Sequence, residues 1–227
     1  MNRYRIPLVF LVPLALVLAS CGSKPVAAQA ATKEPVTLKA VEVRSYQGAD
    51  LSSVNDFREN SIKGVQHVDP ATYRLEIAGL VATPLSLTRD QVIDRTLYRK
   101  VVTLHCVEGW DATILWEGVK VKDLLAAAGY DPKASTVIFT SYDGYTTSHP
   151  LAYLTGNDIL LAYKMNEIPV PDERGFPFVL VAEDKWGYKW AKWVTKIEVS
   201  DDASFKGYWE QRGYNQDGTL SGPMFGD

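Results

Sequence analysis

The sequence predicts an α+β domain in which short helices are interspersed with the strands of a mixed β-sheet. Residues 73–79 alternate apolar and polar side chains, which is typical of a strand with one buried face. Residues 88–95 predict a short helix, because Thr88 and Gln91 have the spacing of a capping box. Helices and short, partly alternating strands therefore follow one another along the chain, and this mixture indicates the fold class.

The remaining elements extend the same pattern. Residues 100–107 are β-branched and apolar and predict a strand that carries Cys106 at its C-terminal end. Residues 121–128 predict an amphipathic helix that ends at Gly129. A C-terminal helix is predicted at residues 205–214, with aromatic side chains that pack on the domain. Further strands are predicted at residues 136–141, 159–163, 177–182 and 193–199.

The first residues, 1–20, resemble a lipoprotein signal peptide. Arg3 and Arg5 precede a mostly apolar stretch, residues 6–19, that is too short to span a bilayer. Small residues follow, and then Cys21, which is the position of the lipid-carrying cysteine in a bacterial lipobox. An ordinary signal peptide that is cut a little further along the chain is the alternative.

The composition separates a tether from a folded domain. Residues 21–45 are rich in Ala, Lys, Pro and Thr and predict a flexible tether, while residues 46–227 are predicted to be the domain. The chain has a formal net charge of −3. This mild acidity, together with the predicted export, argues against a nucleic-acid partner. A lipid on Cys21 would hold the domain on a membrane of the cell envelope, facing the periplasm or the exterior.

Cys106 is the second of the two cysteines and has no disulfide partner if Cys21 carries a lipid. Because thiols tend to oxidise in exported proteins, a lone cysteine there is usually either buried and inert or a metal ligand. Alternation along the predicted strand places His105 and Val107 on the face opposite Cys106. Glu108 is expected on the same face as Cys106.

Several motifs follow one another in a recognisable order from Cys106 onwards. They are Cys106-Val107-Glu108-Gly109-Trp110, Trp116-Glu117-Gly118-Val119, Tyr142-Asp143-Gly144-Tyr145, Gly175-Phe176-Pro177 and Trp186-Gly187-Tyr188-Lys189-Trp190. Together they resemble the molybdopterin-binding domain of the sulfite oxidase family, and within it the bacterial branch that contains the catalytic subunit of periplasmic methionine sulfoxide reductase. The resemblance runs from about residue 55 to residue 209 and implies a sulfite oxidase-type fold with mixed sheets and short helices.

The resemblance implies a Mo-molybdopterin cofactor, with the thiolate of Cys106 as a ligand to molybdenum. Soft sulfur ligands suit such a redox metal. Glu108 is a candidate catalytic residue beside it, as a proton donor or a filter on substrate access, and a hydrogen-bonded loop carboxylate is the alternative. The cofactor-binding positions that the resemblance implies are Asn55, Arg58, Glu59, Ser141, Arg174, Lys189, Trp190, Ala191 and Lys192.

Two features depart from the family pattern. Val179 stands where the family usually has an arginine that grips the cofactor, and Arg174 is a candidate replacement for that charge. Arg3 and Arg5 are not the adjacent arginine pair with which folded molybdopterin enzymes are normally exported. A cofactor-less lipoprotein binding module on the same fold is therefore an alternative. Its pocket would be built from Trp110, Trp116, Tyr145 and Trp186.

The leading interpretation is a membrane-anchored oxidoreductase that reduces small-molecule S- or N-oxides by two-electron oxygen-atom transfer. A sulfite-oxidising enzyme needs several cationic side chains around the metal, and the sequence near Cys106 offers no such cluster. A haem-containing electron-transfer protein is the expected partner, because the sequence has neither a haem motif nor an iron–sulfur cysteine pattern. His149, after the Asp143-Gly144 turn, is expected to be an exposed loop histidine.

Overall fold

The computed structural model describes residues 41–226, so the predicted signal peptide and the predicted lipidation site Cys21 lie outside the described residues. None of the helices within residues 41–226 is long and apolar enough to cross a membrane. The helices are α1 (Arg89–Ile93), α2 (Val121–Ala128) and α3 (Leu151–Gly156). The strands are β1 (Ser45–Tyr46), β2 (Ala49–Asp50), β3 (Leu75–Gly79), β4 (Leu85–Leu87), β5 (Tyr98–His105), β6 (Asp111–Lys120), β7 (Thr136–Ser141), β8 (Thr146–Pro150), β9 (Leu160–Met165), β10 (Ile168–Pro169), β11 (Val179–Val181) and β12 (Val194–Ser200).

Ten of these strands form two five-stranded sheets. In the first, the order is β10-β9-β6-β5, β11 also pairs with β9, and every pairing is antiparallel. In the second, the order is β4-β3-β12-β7-β8, and β12 runs parallel to β3 while the other pairings are antiparallel. The remaining strands, β1 and β2, form a small hairpin. This arrangement confirms the predicted α+β class with mixed sheets and short helices.

The helices form where the local signals predict them. At the start of α1, the backbone N–H of Gln91 donates to Oγ1 of Thr88, and the backbone N–H of Thr88 donates to Oε1 of Gln91. This is the predicted capping box. Helix α2 has the predicted bounds, and Gly129 ends it in the left-handed conformation with φ of 67°. Its apolar face packs against β3, β6 and α3.

Several elements differ from the sequence prediction. β5 ends at His105, two residues before the predicted end of the strand, because the chain turns back at Cys106 to pair with β6. The predicted helix at residues 205–214 is wrong, since only Glu210–Arg212 form a short 3₁₀ turn there. β6, β8 and α3 have no counterpart in the sequence prediction. In β6 the residues from Ile114 to Val119 are all buried, so the alternation that marks a half-exposed strand is absent.

Gly118 allows the central strands β6 and β9 to approach each other. A Cβ atom at this position would lie 2.2 Å from the carbonyl oxygen of Leu161 and 2.6 Å from the Cα of Ala162. Both contacts are with backbone, so a side chain would have to move one strand away from the other. The pairing of β6 with β9 also shifts register between Glu117 and Gly118.

We expect Gly118→Ala to lower the free energy of unfolding by about 3 kcal/mol or more, because the added methyl group separates two central strands. Urea-induced unfolding, followed by tryptophan fluorescence, measures this change. The matched control is Gly156→Ala at the end of α3, where an added Cβ meets no atom within 4 Å. Its expected change is below about 0.5 kcal/mol. Equal effects of the two substitutions would contradict the proposed close approach.

Candidate active site

A pocket of about 250 Å³ is lined by residues of both five-stranded sheets. Trp116 of β6 and Val179 of β11 come from the antiparallel sheet, and Ser141 of β7 comes from the mixed sheet. The lining is rich in aromatic side chains, namely Phe57, Trp110, Trp116, Tyr145, Tyr188, Trp190, Trp193, Trp209 and Tyr214. The charged lining residues are Arg58, Glu108, Asp143, Glu173, Arg174 and Lys192. The sequence predicts that the pocket of a binding module would be built from Trp110, Trp116, Tyr145 and Trp186. Three of these residues line the pocket, and Trp186 does not.

Cys106 lies in this pocket, at the start of the tight connection between β5 and β6. Its backbone N–H donates to the carbonyl of Trp110 at 2.9 Å, and the N–H of Gly109 donates to the carbonyl of Cys106 at 3.1 Å. Gly109 has φ of 82°, a conformation that glycine adopts without steric cost. The thiol is free and Cys106 is 9% exposed. The turn therefore presents a single buried sulfur atom to the pocket.

The surroundings of Cys106 do not favour a free thiolate. Burial raises the pKa of the thiol, and the carboxylates of Glu108 and Asp111 add to this effect. The backbone N–H of Glu108 and the charge of Arg58 act in the opposite direction. Within residues 41–226, no three His, Cys, Asp or Glu side chains are grouped so as to hold a metal ion.

Glu108 lines the same pocket, although not for the predicted reason. The prediction placed Glu108 beside Cys106 because side chains two residues apart in a strand share a face. This reasoning does not apply here, because both residues lie in the turn between β5 and β6. Nδ2 of Asn60 donates to Oε1 of Glu108 at 3.3 Å, and Nε1 of Trp110 donates to Oε2 at 3.2 Å. These two donors fix an exposed carboxylate at the rim of the pocket. The same geometry also fits the alternative interpretation, in which Glu108 is a hydrogen-bonded loop carboxylate without a catalytic role.

The segment 54–60 contributes Phe57, Arg58 and Asn60 to the pocket lining and is held in place by two cations. Arg174 donates from Nε to the carbonyl of Val54 at 2.8 Å and from Nη2 to that of Phe57 at 2.9 Å. Its guanidinium carbon lies 5.2 Å from the centroid of the Phe57 ring. Nζ of Lys192 donates to Oε1 of Glu59 at 2.9 Å. The structure therefore brings together three of the predicted cofactor-binding residues, Glu59, Arg174 and Lys192, around this segment.

Arg58 and Ser141 also face the pocket, whereas Asn55 does not. Arg58 is exposed, and its charge acts on the Cys106 thiol. Ser141 is 3% exposed, and its Oγ has no hydrogen-bond partner among the described residues. A buried hydroxyl of this kind is normally satisfied by a partner, so a bound group is expected there. Asn55 is exposed and lies outside the pocket lining.

The predicted residues 189–191 have three different environments. Trp190 is 6% exposed and lines the pocket. Ala191 lies behind it, and its carbonyl accepts from the backbone N–H of Leu180 at 2.8 Å. The ammonium of Lys189 is turned away from the pocket lining and buried, with its Nζ 2.5 Å from Oε1 of Glu210. The side chain of Lys189 is therefore already neutralised, and the expectation that it adds free charge for a cofactor does not match its position.

Trp209 and Tyr214 are pocket residues that the sequence analysis did not assign to the site. Trp209 was expected to pack on the domain as part of a helix, and Tyr214 stood at the end of that helix. The irregular chain around Glu210–Arg212 instead turns both rings towards the pocket. The only signal in the sequence was the high content of aromatic residues between positions 205 and 214. Aromatic content alone does not distinguish residues that pack in the core from residues that line a pocket.

His149 is a correction to the expected exposed loop histidine. It lies in β8, is 1% exposed, and its ring stacks at 5.3 Å on that of Tyr153. Its Nε2 lies 2.9 Å from the carbonyl of Lys189, and a carbonyl only accepts, so Nε2 carries the hydrogen. Burial, with the nearby charge of Lys189, holds the pKa of His149 well below its ordinary value of 6.5.

Comparison with known proteins gives a consistent result. A sequence family described as "oxidoreductase molybdopterin binding domain" matches residues 62–209. The chain is 33% identical to the uncharacterized oxidoreductase YuiH of Bacillus subtilis, over 66% of this chain and 76% of that protein. It is 34% identical to a putative protein-methionine-sulfoxide reductase subunit, YedZ1, of Azospira oryzae, over 66% of this chain and 57% of the relative.

Two further similarities cover smaller parts of longer proteins. The chain is 31% identical to human mitochondrial sulfite oxidase over 66% of its own length, which corresponds to 33% of that enzyme. Among solved structures, the sulfane dehydrogenase SoxCD of Paracoccus pantotrophus superposes with a TM-score of 0.63 at 20% identity. The superposition covers 85% of this chain and 60% of the other, and at this identity it supports the fold alone.

We expect His149 to make folding sensitive to mild acid. The folded protein holds this ring neutral, whereas the unfolded chain takes up a proton near the ordinary pKa of 6.5. The unfolded state therefore binds more protons below that pH, and stability falls as the pH is lowered. The contribution is at most about 1.4 kcal/mol per pH unit.

Urea-induced unfolding at pH 7, 6 and 5 measures this dependence. His149→Phe keeps an aromatic ring beside Tyr153 but removes the titrating group, so the slope of stability against pH should be smaller than in the wild type. His67→Gln is the control for removing a histidine at the surface: the side chain of His67 is 78% exposed, and its Nδ1 lies 2.6 Å from Oδ2 of Asp172. An unchanged slope in His149→Phe would contradict the neutral, buried state of this histidine.

Proposed function

The chain belongs to the oxidoreductase molybdopterin-binding domain family, and from this membership we propose that it reduces S- or N-oxides by two-electron oxygen-atom transfer, with Cys106 as the molybdenum ligand. The family makes the protein a molybdopterin-dependent oxidoreductase with Mo-molybdopterin as its cofactor. The observation that carries the finer proposal is the position of Cys106. It is a buried, unpaired thiol that faces a pocket of about 250 Å³.

The residues of the pocket fit such a cofactor. Cys106 offers one soft sulfur ligand, and coordination to a metal cation would stabilise the thiolate that burial disfavours. Ser141 offers a buried hydroxyl that has no partner among the described residues. Arg174 and Lys192 offer positive charge that suits an anionic phosphate group. Trp190 adds an aromatic wall to the same pocket.

The chemistry divides between the cofactor and the chain. When bound, the molybdenum–pterin group supplies the two-electron redox centre for oxygen-atom transfer. In the overall reaction the bond between sulfur or nitrogen and oxygen breaks, the heteroatom gains two electrons, and the oxygen leaves as water with two protons. Cys106 binds the metal, and Glu108 at the rim passes protons inwards from solvent. Asn60 and Trp110 hold the Glu108 carboxylate in the orientation that this transfer needs.

The charges around Cys106 favour a neutral oxide over the sulfite dianion. Arg174 and Lys192 also bind the segment 54–60, through backbone carbonyls and the Glu59 carboxylate, and as the proposed partners of the cofactor phosphate they would not be free to bind a substrate anion. Arg58 remains as a cation that acts on the thiol, and the Glu108 carboxylate opposes it. A dianionic substrate would need several free cations at this position. The name of the Azospira oryzae relative gives methionine sulfoxide as its substrate, and the reacting sulfoxide group carries no net charge.

We further propose that a lipid on Cys21 anchors the enzyme to the cell envelope and that a haem-containing protein supplies its electrons. The motif around Cys21 supports the anchor, and the tether at residues 21–45 would allow the domain to reach a membrane-bound partner. The 227 residues contain no haem motif or iron–sulfur cysteine pattern, and this supports a haem protein as the source of the two electrons.

Cys106→Ser should lose the molybdenum, because a hydroxyl is a poor ligand for this soft site. We expect less than about a tenth of the wild-type metal content and no reduction of methionine sulfoxide. Elemental analysis of protein purified from the native envelope measures the metal, and X-ray absorption of the wild type should show Mo–S scattering. Wild-type metal content in Cys106→Ser would refute the ligand assignment, provided that the thermal unfolding temperature shows a folded protein.

Cys21→Ser removes the other thiol and serves as the matched control. It should retain molybdenum and activity but leave the membrane fraction, because no acyl chain can be attached. Fractionation of cells and mass spectrometry of the N-terminal peptide measure this change. Membrane association that persists without any acyl modification would contradict the proposed anchor and leave the catalytic proposal standing.

A further inference from the structure

We propose that Trp209 and Tyr214 form a substrate-selecting wall, which favours S-oxides with a bulky, uncharged apolar substituent over small ones. This inference rests on the oxide reduction proposed above. Neither residue carries out the reaction. They bind the part of the substrate that is not reduced.

The two rings lie on the accessible side of the pocket. Cys106, Ser141 and Trp190 are all buried, with exposures of 9%, 3% and 6%. Trp209 and Tyr214 line the same pocket but are only half-buried. A cofactor bound through the thiol would occupy the buried part. The half-buried rings are then placed to contact a molecule that enters from solvent.

The rings are held in place before any substrate arrives. The ring of Tyr214 lies 4.8 Å from that of Tyr188 and 5.3 Å from that of Trp209, measured between centroids. The backbone N–H of Tyr214 donates to the carbonyl of Trp209 at 3.2 Å. Between them, the buried carboxylate of Glu210 accepts from Nζ of Lys189 at 2.5 Å. A wall that is already ordered loses little conformational entropy when it binds a substrate.

This wall lies at the edge of the shared domain. The family match ends at residue 209, so Trp209 is its last residue and Tyr214 lies beyond it. Cys106, Ser141 and Trp190 come from the matched region, and of the two wall residues only Tyr214 comes from the sequence that follows it.

The chemistry of the wall defines the substituent. Aromatic faces gain free energy by covering apolar groups, and they make favourable contacts with sulfur. The Glu108 carboxylate at the same rim disfavours an anionic substituent. A methyl group alone is too small to cover two rings. The preferred class is therefore an S-oxide that carries an aryl or branched alkyl group.

The test compares methyl p-tolyl sulfoxide with dimethyl sulfoxide, which carry the same reacting group but differ in size. The molybdenum-loaded full-length protein is assayed with a dye electron donor, and the ratio of kcat/KM for the large over the small sulfoxide is measured. We expect this ratio to fall at least tenfold in Tyr214→Ala and in Trp209→Ala. Tyr214→Phe should keep most of it, because the ring is retained.

The control is Tyr142→Ala, an exposed tyrosine that does not line the pocket, and it should keep the wild-type ratio. Isothermal titration with methyl p-tolyl sulfide, the product, gives a second readout, and its Kd should rise at least tenfold in Tyr214→Ala. If the kcat/KM ratio and the Kd for the sulfide are unchanged in both alanine variants, the proposed role of Trp209 and Tyr214 in substrate selection is wrong. If the loaded wild type reduces neither sulfoxide nor any N-oxide, the proposed reduction itself fails, and that result is distinct from a lost preference.

Discussion

The buried ion pair of Lys189 and Glu210 connects the two halves of the site. Both side chains are almost fully inaccessible, at 1% and 0% exposure, so each charge depends on the other for its stabilisation. Oγ1 of Thr147 donates to the same carboxylate, and the carbonyl of Gln216 accepts from the ammonium. Removing one partner of such a pair typically costs about 3–5 kcal/mol. The pair therefore fixes the position of the C-terminal segment against the chain at residues 185–190.

This connection determines the shape of the pocket. Trp190 follows Lys189 directly and forms part of the buried floor, while Trp209 precedes Glu210 and forms part of the rim. A shift of either segment would move an aromatic wall relative to Cys106. Gly218 shows how closely the segments approach, because a Cβ there would lie 2.5 Å from Cγ of Lys189. Lys189, which the sequence analysis assigned to cofactor binding, thus has a structural role. It affects the site only by holding Trp190 and Trp209 in position.

The sequence predicted elements with local signals and missed those determined by tertiary contacts. Helix α2 and strand β7 have the predicted bounds because Gly129 and an apolar β-branched run mark them. Strand β6 was missed because it is buried on both faces, and His149 was assigned to solvent because a single sequence does not reveal that β8 is covered. Cys106 and Glu108 were found through motif order, and both line the pocket as expected, although a turn and not the alternation of a strand places them there.

Arg174 is the candidate replacement for the arginine that the sequence analysis expects at position 179, where this chain has valine. Val179 is 3% exposed and belongs to β11, so an arginine there would have to point into the pocket. Gly175 brings the neighbouring chain so close that a Cβ would lie 2.7 Å from Cγ2 of Val179. Arg174 supplies a guanidinium on the other side of that glycine. Arg174 also donates to the carbonyls of Val54 and Phe57 in the segment 54–60. If Arg174 replaces the family arginine, the positive charge at the pocket is coupled to the segment 54–60, because the same guanidinium holds that segment in place.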